Sequence, residues 1–204
     1  MKKRIDIIIH ILIIILEILA FIRAIRHEGR IAIEFYTDLS NLIALITSIL
    51  YLIFRNNNKI VNNMYFITAS MLSITLLVVI FVLGPMYSFD YKWLILQGSH
   101  FIMHFICPLL FILVYLFYKK RNDNKYLPMI VTVIYGIVLI ILNILKVVDG
   151  PYPFLKVYKQ SIMMSILWGI ILISGSLIIS ILLIKLNKKV GGYYEHKIRE
   201  GRKE

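Results

Sequence analysis

The chain has 204 residues, 60% of them hydrophobic, with a formal net charge of +12 and a mean hydropathy of +0.83. A soluble domain is nearer half apolar, so this excess excludes an ordinary water-soluble fold and points to a membrane protein. The apolar residues run continuously instead of alternating, which excludes an outer-membrane barrel and leaves an all-α, polytopic class.

Crossing roughly 30 Å of hydrocarbon takes about 20 helical residues. Six runs approach that length, at about 5–25, 35–54, 64–87, 93–118, 127–148 and 161–186. Met1-Lys2-Lys3-Arg4 opens the chain like a secretory signal. Its apolar stretch is too long for a signal core, carries Glu17 and lacks a small-x-small cleavage site, so it reads as the first transmembrane helix. Arg55-Asn56-Asn57-Asn58-Lys59 and Lys119-Lys120-Arg121-Asn122-Asp123-Asn124 read as polar turns on one side. On the other side, Gly84-Pro85-Met86-Tyr87-Ser88-Phe89-Asp90-Tyr91 and Asp149-Gly150-Pro151-Tyr152-Pro153-Phe154-Leu155 mix turn formers with aromatics. Such loops suit the lipid–water boundary or the roof of a cavity. Every connection is short and no internal repeat is evident, so residues 1–204 are expected to form a single six-helix domain, with 187–204 a basic tail.

With the N-terminus inside, sixteen of the twenty-three Lys and Arg fall on the inner side. Arg23, Arg26, Arg30, Lys92, Lys146, Lys156 and Lys159 remain outside. The positive-inside rule therefore favours six helices in one bundle with both termini cytoplasmic. The basic tail then serves orientation and attraction to anionic lipid, with membrane lipid and not nucleic acid as the partner. The oligomeric state is not legible. A single cysteine, Cys107, lies within a span, which excludes an intrachain disulfide and a cysteine-based metal site.

Polar side chains inside such spans are costly unless they pair or work. In span one, Asp6, His10 and Glu17 fall within about 40° of one another at 100° per residue, a single stripe that must face the bundle interior. Span two opens Phe35-Tyr36-Thr37-Asp38-Leu39-Ser40-Asn41, where Thr37 or Asp38 reads as a helix cap or as chemistry. Span four carries His100-Phe101-Ile102-Met103-His104-Phe105-Ile106-Cys107-Pro108, with two histidines one turn apart. That spacing can bind a metal. The glutamate of the helical zinc-protease motif is missing, however, and no third ligand is evident beyond His10 or Glu17, so neither metal nor cofactor is expected. A hydroxyl nucleophile needs a base within hydrogen-bond reach, and Thr37 with a span-four histidine is the pair this sequence offers. Thr37 lies near the outer end of its span. His104 is expected about 6–10 Å deeper, and His100 is better matched in depth.

At these residues the chain resembles the androgen-induced protein family, which includes the androgen-dependent TFPI-regulating protein and six-helix bacterial relatives. The resemblance rests on Phe35-Tyr36-Thr37-Asp38-Leu39-Ser40-Asn41, on His104-Phe105-Ile106-Cys107-Pro108 and on Tyr152-Pro153-Phe154-Leu155, in that order over roughly residues 30–185. It implies an integral-membrane threonine hydrolase of fatty acid esters of hydroxy fatty acids, in a bacterial cytoplasmic membrane. Thr37 takes the nucleophile's position and His104 the base's. The animal members have histidines three apart, whereas here they are four apart, which keeps His100 open as the base. Ser40, Asn41 or the amides at the start of span two are then expected to stabilise an oxyanion, and Asp38 or Glu17 to orient the histidine. The substrate expected is a hydrophobic ester. The alternative is a non-enzymatic carrier, receptor or channel whose polar path runs through Asp6, His10, Glu17, Asn41 and His104.

Overall fold

A computed structural model describes residues 2–28, 33–54, 58–118, 124–148 and 152–200. Arg30, the turn at Arg55-Asn56-Asn57, the connection 119–123, Asp149-Gly150-Pro151 and the last four residues of the tail lie outside these. The described residues carry helix and no strand. The helices are α1 (Lys2–Glu28), α2 (Tyr36–Phe54), α3 (Lys59–Val78), α4 (Cys107–Tyr118), α5 (Leu127–Ile144) and α6 (Ile162–Glu200). Three wider π-helical stretches accompany them: Val79–Leu83 continues α3, Lys92–Leu96 stands alone, and Phe101–Ile106 leads into α4. Among the described residues, six helices are long and apolar enough to cross a membrane.

The expected spans shift at their ends. Asn58 caps α3, its side chain accepting from the Ile60 amide at 2.8 Å, so that helix begins five residues earlier than the apolar run suggested. The α5 helix stops at Ile144, and Lys146 turns the chain with φ of 55°. The α6 helix continues unbroken to Glu200, through the stretch expected as a separate tail. Span four departs most. The run from residue 93 is interrupted at Gln97, which is extended, and at Gly98, whose φ of 56° belongs to the left-handed region that glycine enters without steric cost. The membrane-crossing helix proper is Phe101–Tyr118.

Side chains sort by face as lipid burial requires. The span-one stripe points inward, with Asp6 3%, His10 0% and Glu17 0% exposed, while Ile8 on another face of α1 is 63% exposed. Tyr65, Phe66, Phe111 and Tyr115 stack at the core of one half of the bundle. Tyr36, Met71, Leu139, Tyr152, Phe154 and Leu155 fill the other half, so the loop before α6 folds back into the protein. Of the two readings left open for that loop, burial of Tyr152, Phe154 and Leu155 in the wall of a cavity favours the second.

Two prolines shape the helix ends that meet there. Beyond α3 the Gly84 amide bonds to the Val79 carbonyl, five residues back. In that register Pro85 faces the Ile80 carbonyl and has no N–H to give. The Tyr91 hydroxyl supplies the missing donor at 2.9 Å. Its ring lies against Gly84, where an added Cβ would meet the Tyr91 oxygen at 2.5 Å and Cε1 at 2.7 Å. Gly84→Ala is therefore expected to push Tyr91 off Ile80 and to destabilise the protein by about 1–3 kcal/mol, the usual cost of overpacking. A lowered unfolding temperature in detergent micelles checks it.

Candidate functional site

The α2 helix starts with Phe35, whose carbonyl accepts the Leu39 amide at 3.0 Å. Thr37 is thus the second residue inside the helix and does not occupy the cap position. The acceptor for the first-turn amides comes from far along the chain: the Tyr36 N–H donates to the Tyr152 hydroxyl at 3.0 Å. Burial pushes the Tyr152 phenol up to about 12, an effect opposed by the Tyr36 N–H, so it stays protonated at neutral pH.

Below Thr37, two side chains brace its peptide. Ser40 Oγ donates to the Thr37 carbonyl at 2.9 Å and meets Thr75 Oγ1 at 3.0 Å. Asn41 Nδ2 donates to the same carbonyl at 2.8 Å and to the Met103 carbonyl at 3.1 Å. The second bond has the same origin as the one at Ile80. The Cys107 amide reaches back five residues to Ile102, and in that register Pro108 faces the Met103 carbonyl without a proton to offer. Asn41 replaces it. Both of its amide hydrogens go to carbonyls, which fixes the orientation of the side chain. A single asparagine thereby ties the peptide of Thr37 to the turn that carries His104.

The histidines are held by the isolated π turn. His104 Nδ1 donates to the Leu94 carbonyl at 2.5 Å, and His100 Nδ1 donates to the Trp93 carbonyl at 2.9 Å. A carbonyl can only accept, so each Nδ1 carries hydrogen, and the lone pair available to a neutral ring is then on Nε2. The two rings stack at 4.9 Å and 18°, with Trp93 edge-on to His100 at 5.5 Å. His104 is buried and His100 half-buried. Asn41 bonds the carbonyls of both Thr37 and Met103, and Thr37 and His104 line one cavity, so the two residues belong to the same end of the bundle.

Thr37, Asp38, His100 and His104 line one cavity of about 120 Å³, roofed by Trp93 and Tyr152. A second cavity, about 150 Å³, opens between α2, α3, α5 and α6 among Ile74, Thr132, Gly136 and Leu172. An apolar space of that size takes a benzene-sized group or a short run of methylenes. Thr37 and Tyr152 belong to the walls of both.

The remaining site residues take other positions. The hydrogens of Ser40 and Asn41 are engaged with backbone carbonyls, so these two act as braces and not as the expected oxyanion donors. The orienting group on His104 Nδ1 is the Leu94 carbonyl, in place of Asp38 or Glu17. Glu17 is fully buried against Cys107 and not against His104 or Asn143, and it lines neither cavity. Asp6 and His10 lie at the opposite end of the bundle, where Tyr51 donates to the Asp6 carboxylate and packs its ring, tilted by 32°, against His10 at 4.1 Å. The polar stripe of span one therefore divides between two places. Among the described residues no three His, Cys, Asp or Glu side chains converge as a metal site. Tyr152 and the carbonyls of Trp93 and Leu94 were missed. The Tyr-Pro-Phe-Leu motif was the signal for the first, and backbone carbonyls carry no sequence signal.

Fold and site together define a six-helix protein of membrane-crossing dimensions with a Thr/His/Tyr cavity at one end. No family model matches the chain, and neither does any curated protein or solved structure.

Proposed function

We propose that the protein is an integral-membrane hydrolase of lipid carboxylic esters, with Thr37 as nucleophile and His104 as base. The observation that carries this reading is that Thr37 lines both an apolar cavity and a histidine-lined polar one. An ester linkage between a hydrocarbon chain and a polar alcohol needs that junction. Resemblance to the androgen-induced protein family points to the same two residues and to fatty acid esters of hydroxy fatty acids as substrates. The Lys and Arg distribution supports an orientation with both termini cytoplasmic and the cavity at the outer face, and the family resemblance supports a bacterial cytoplasmic membrane.

In the reaction, Thr37 Oγ1 adds to the ester carbonyl while its proton passes to His104 Nε2. The carbonyl π pair moves onto oxygen, where the Tyr152 hydroxyl is the available donor. Collapse breaks the bond to the alcohol oxygen, which takes the proton from His104 and leaves. Water, deprotonated by the same nitrogen, then attacks the acyl-threonine, releasing the acid and restoring the Thr37 hydroxyl. Asp6, His10 and Glu17 line neither of these cavities, which weighs against a continuous polar path and so favours the enzyme over the carrier.

Purified protein treated with a fluorophosphonate is expected to carry the adduct on Thr37 by peptide mass spectrometry. Thr37→Ala should abolish labelling and Ser40→Ala should retain it. Undiminished labelling of Thr37→Ala overturns the assignment.

A further inference from the structure

Beyond the histidines, at the same end of the bundle, lies a third cavity of about 460 Å³. Arg23, Arg26, Gln97 and Ser99 line it, and Trp93, Ser99 and His100 are shared with the polar cavity of Thr37. Arg23 and Arg26 stand three residues apart on α1, so their side chains rise from neighbouring positions on one helix face. Both are exposed, and neither makes an ion pair with any described residue. The lining contains no carboxylate. Two guanidiniums without an ion pair among the described residues, with an amide and a hydroxyl beside them, form a set of donors in search of an acceptor. The planar fork of arginine matches carboxylate and phosphate oxygens in pairs. Their position also runs against the tendency of positive charge to stay on the cytoplasmic side, so orientation does not explain them.

We infer that the Arg23–Arg26 cavity is an anion subsite for the substrate: it holds the carboxylate or phosphate of an amphiphile whose ester lies at Thr37 and whose chain enters the apolar cavity. This rests on the hydrolase reading above. A fatty acid ester of a hydroxy fatty acid carries such an anion on its hydroxy-acid part, and the new element is the assignment of Arg23 and Arg26 as the residues that hold it. The three cavities form a series with shared walls: Trp93, Ser99 and His100 join the arginine cavity to the polar one, and Thr37 and Tyr152 join the polar cavity to the apolar one. One molecule can then touch the arginines at its anion, the histidines at its ester and α5 and α6 at its tail. The arginines act by holding the substrate and take no part in the bond changes.

The test compares two substrates, a hydroxy fatty acid acylated on its hydroxyl and the methyl ester of the same compound, in nanodiscs of zwitterionic lipid. The intact protein is expected to favour the free acid. In Arg23→Gln/Arg26→Gln, kcat/KM for the acid should fall about tenfold or more, through KM, with cleavage of the methyl ester at the acyl group unchanged. Absence of a preference in the intact protein, or its survival in the double variant, overturns the subsite while leaving the hydrolase standing. If the intact protein cleaves neither compound, the hydrolase reading fails, and equilibrium binding of a fluorescent 16-carbon carboxylate decides the subsite separately. Loss of about tenfold in affinity in the double variant supports it, and unchanged affinity overturns it. Competition by an alkyl phosphate or by anionic lipid in the disc supports an amphiphile-borne anion. Equal competition by inorganic phosphate overturns that part of the assignment. Both arginines are exposed, so the double variant should fold, and its elution profile and melting curve verify that.

Discussion

Replacing His104 with alanine is expected to lower ester hydrolysis by about three orders of magnitude or more, with kcat taking the loss and KM little changed. Removal of the base in hydroxyl-nucleophile enzymes costs that much or more, because the nucleophile then keeps its proton. The reason to choose His104 over His100 is environment. His104 is the buried ring of the pair, and the Leu94 carbonyl at 2.5 Å fixes its orientation and leaves Nε2 as acceptor. His100 makes the same kind of bond, at 2.9 Å to the Trp93 carbonyl, but is half-buried and borders the wider cavity. Its ring packs on His104 at 4.9 Å, so His100→Ala should loosen the base without removing it, an effect of about tenfold at the scale of a lost aromatic contact. Steady-state kinetics on both variants, with fluorophosphonate labelling rates as a second readout, separates the two. Equal losses would mean that the rings share the work, and a larger loss in His100→Ala would reverse their roles.

The parts of this molecule that composition controls were readable in advance, and the parts that depend on pairing were not. Six apolar runs gave six helices because hydrocarbon leaves the backbone no other way to satisfy itself. The inward face of α1 followed from the spacing of Asp6, His10 and Glu17 alone. The start of span four did not. Residues 93–96 are as apolar as those after 100, and only Gly98 hinted that the run breaks into a free π turn and a later helix. That break lets the Leu94 carbonyl meet His104 Nδ1. Pro85 and Pro108 were legible as places where a backbone donor is missing. Which side chain would answer each, Tyr91 for Ile80 and Asn41 for Met103, depends on how separate helices approach. The same holds for Asn41 and Ser40 at Thr37: their residue types suit an oxyanion hole as well as a brace, and only the partner carbonyls decide. The opposite end of the bundle offers a parallel. Asn187 Nδ2 donates to the Tyr115 carbonyl at 2.7 Å, joining α6 to α4 across 72 positions of sequence. No local pattern announces such a bond.

Tyr152→Phe is expected to reduce kcat by about a hundredfold, near the lower end of what loss of one oxyanion donor costs. It should also destabilise the fold by about 1–3 kcal/mol, since the buried Tyr36 amide loses its acceptor. The two effects have different origins and different readouts. The hydroxyl oxygen accepts the Tyr36 N–H, which leaves its own proton to donate beside Thr37, on the wall common to both cavities. If Tyr152 only caps α2, the variant will unfold at lower temperature and turn over normally once assayed well below that point. If it also serves the oxyanion, kcat stays low at every temperature where the protein is folded. The pH dependence gives a third reading. Burial raises the phenol from its ordinary value of 10 to about 12, so the folded state holds the proton more tightly than the unfolded chain does. The stability this contributes is complete below pH 10 and is lost as pH rises from 10 to 12. Intact protein should therefore lose thermal stability across that window more steeply than Tyr152→Phe, and below it the donor remains protonated and catalysis does not depend on its titration.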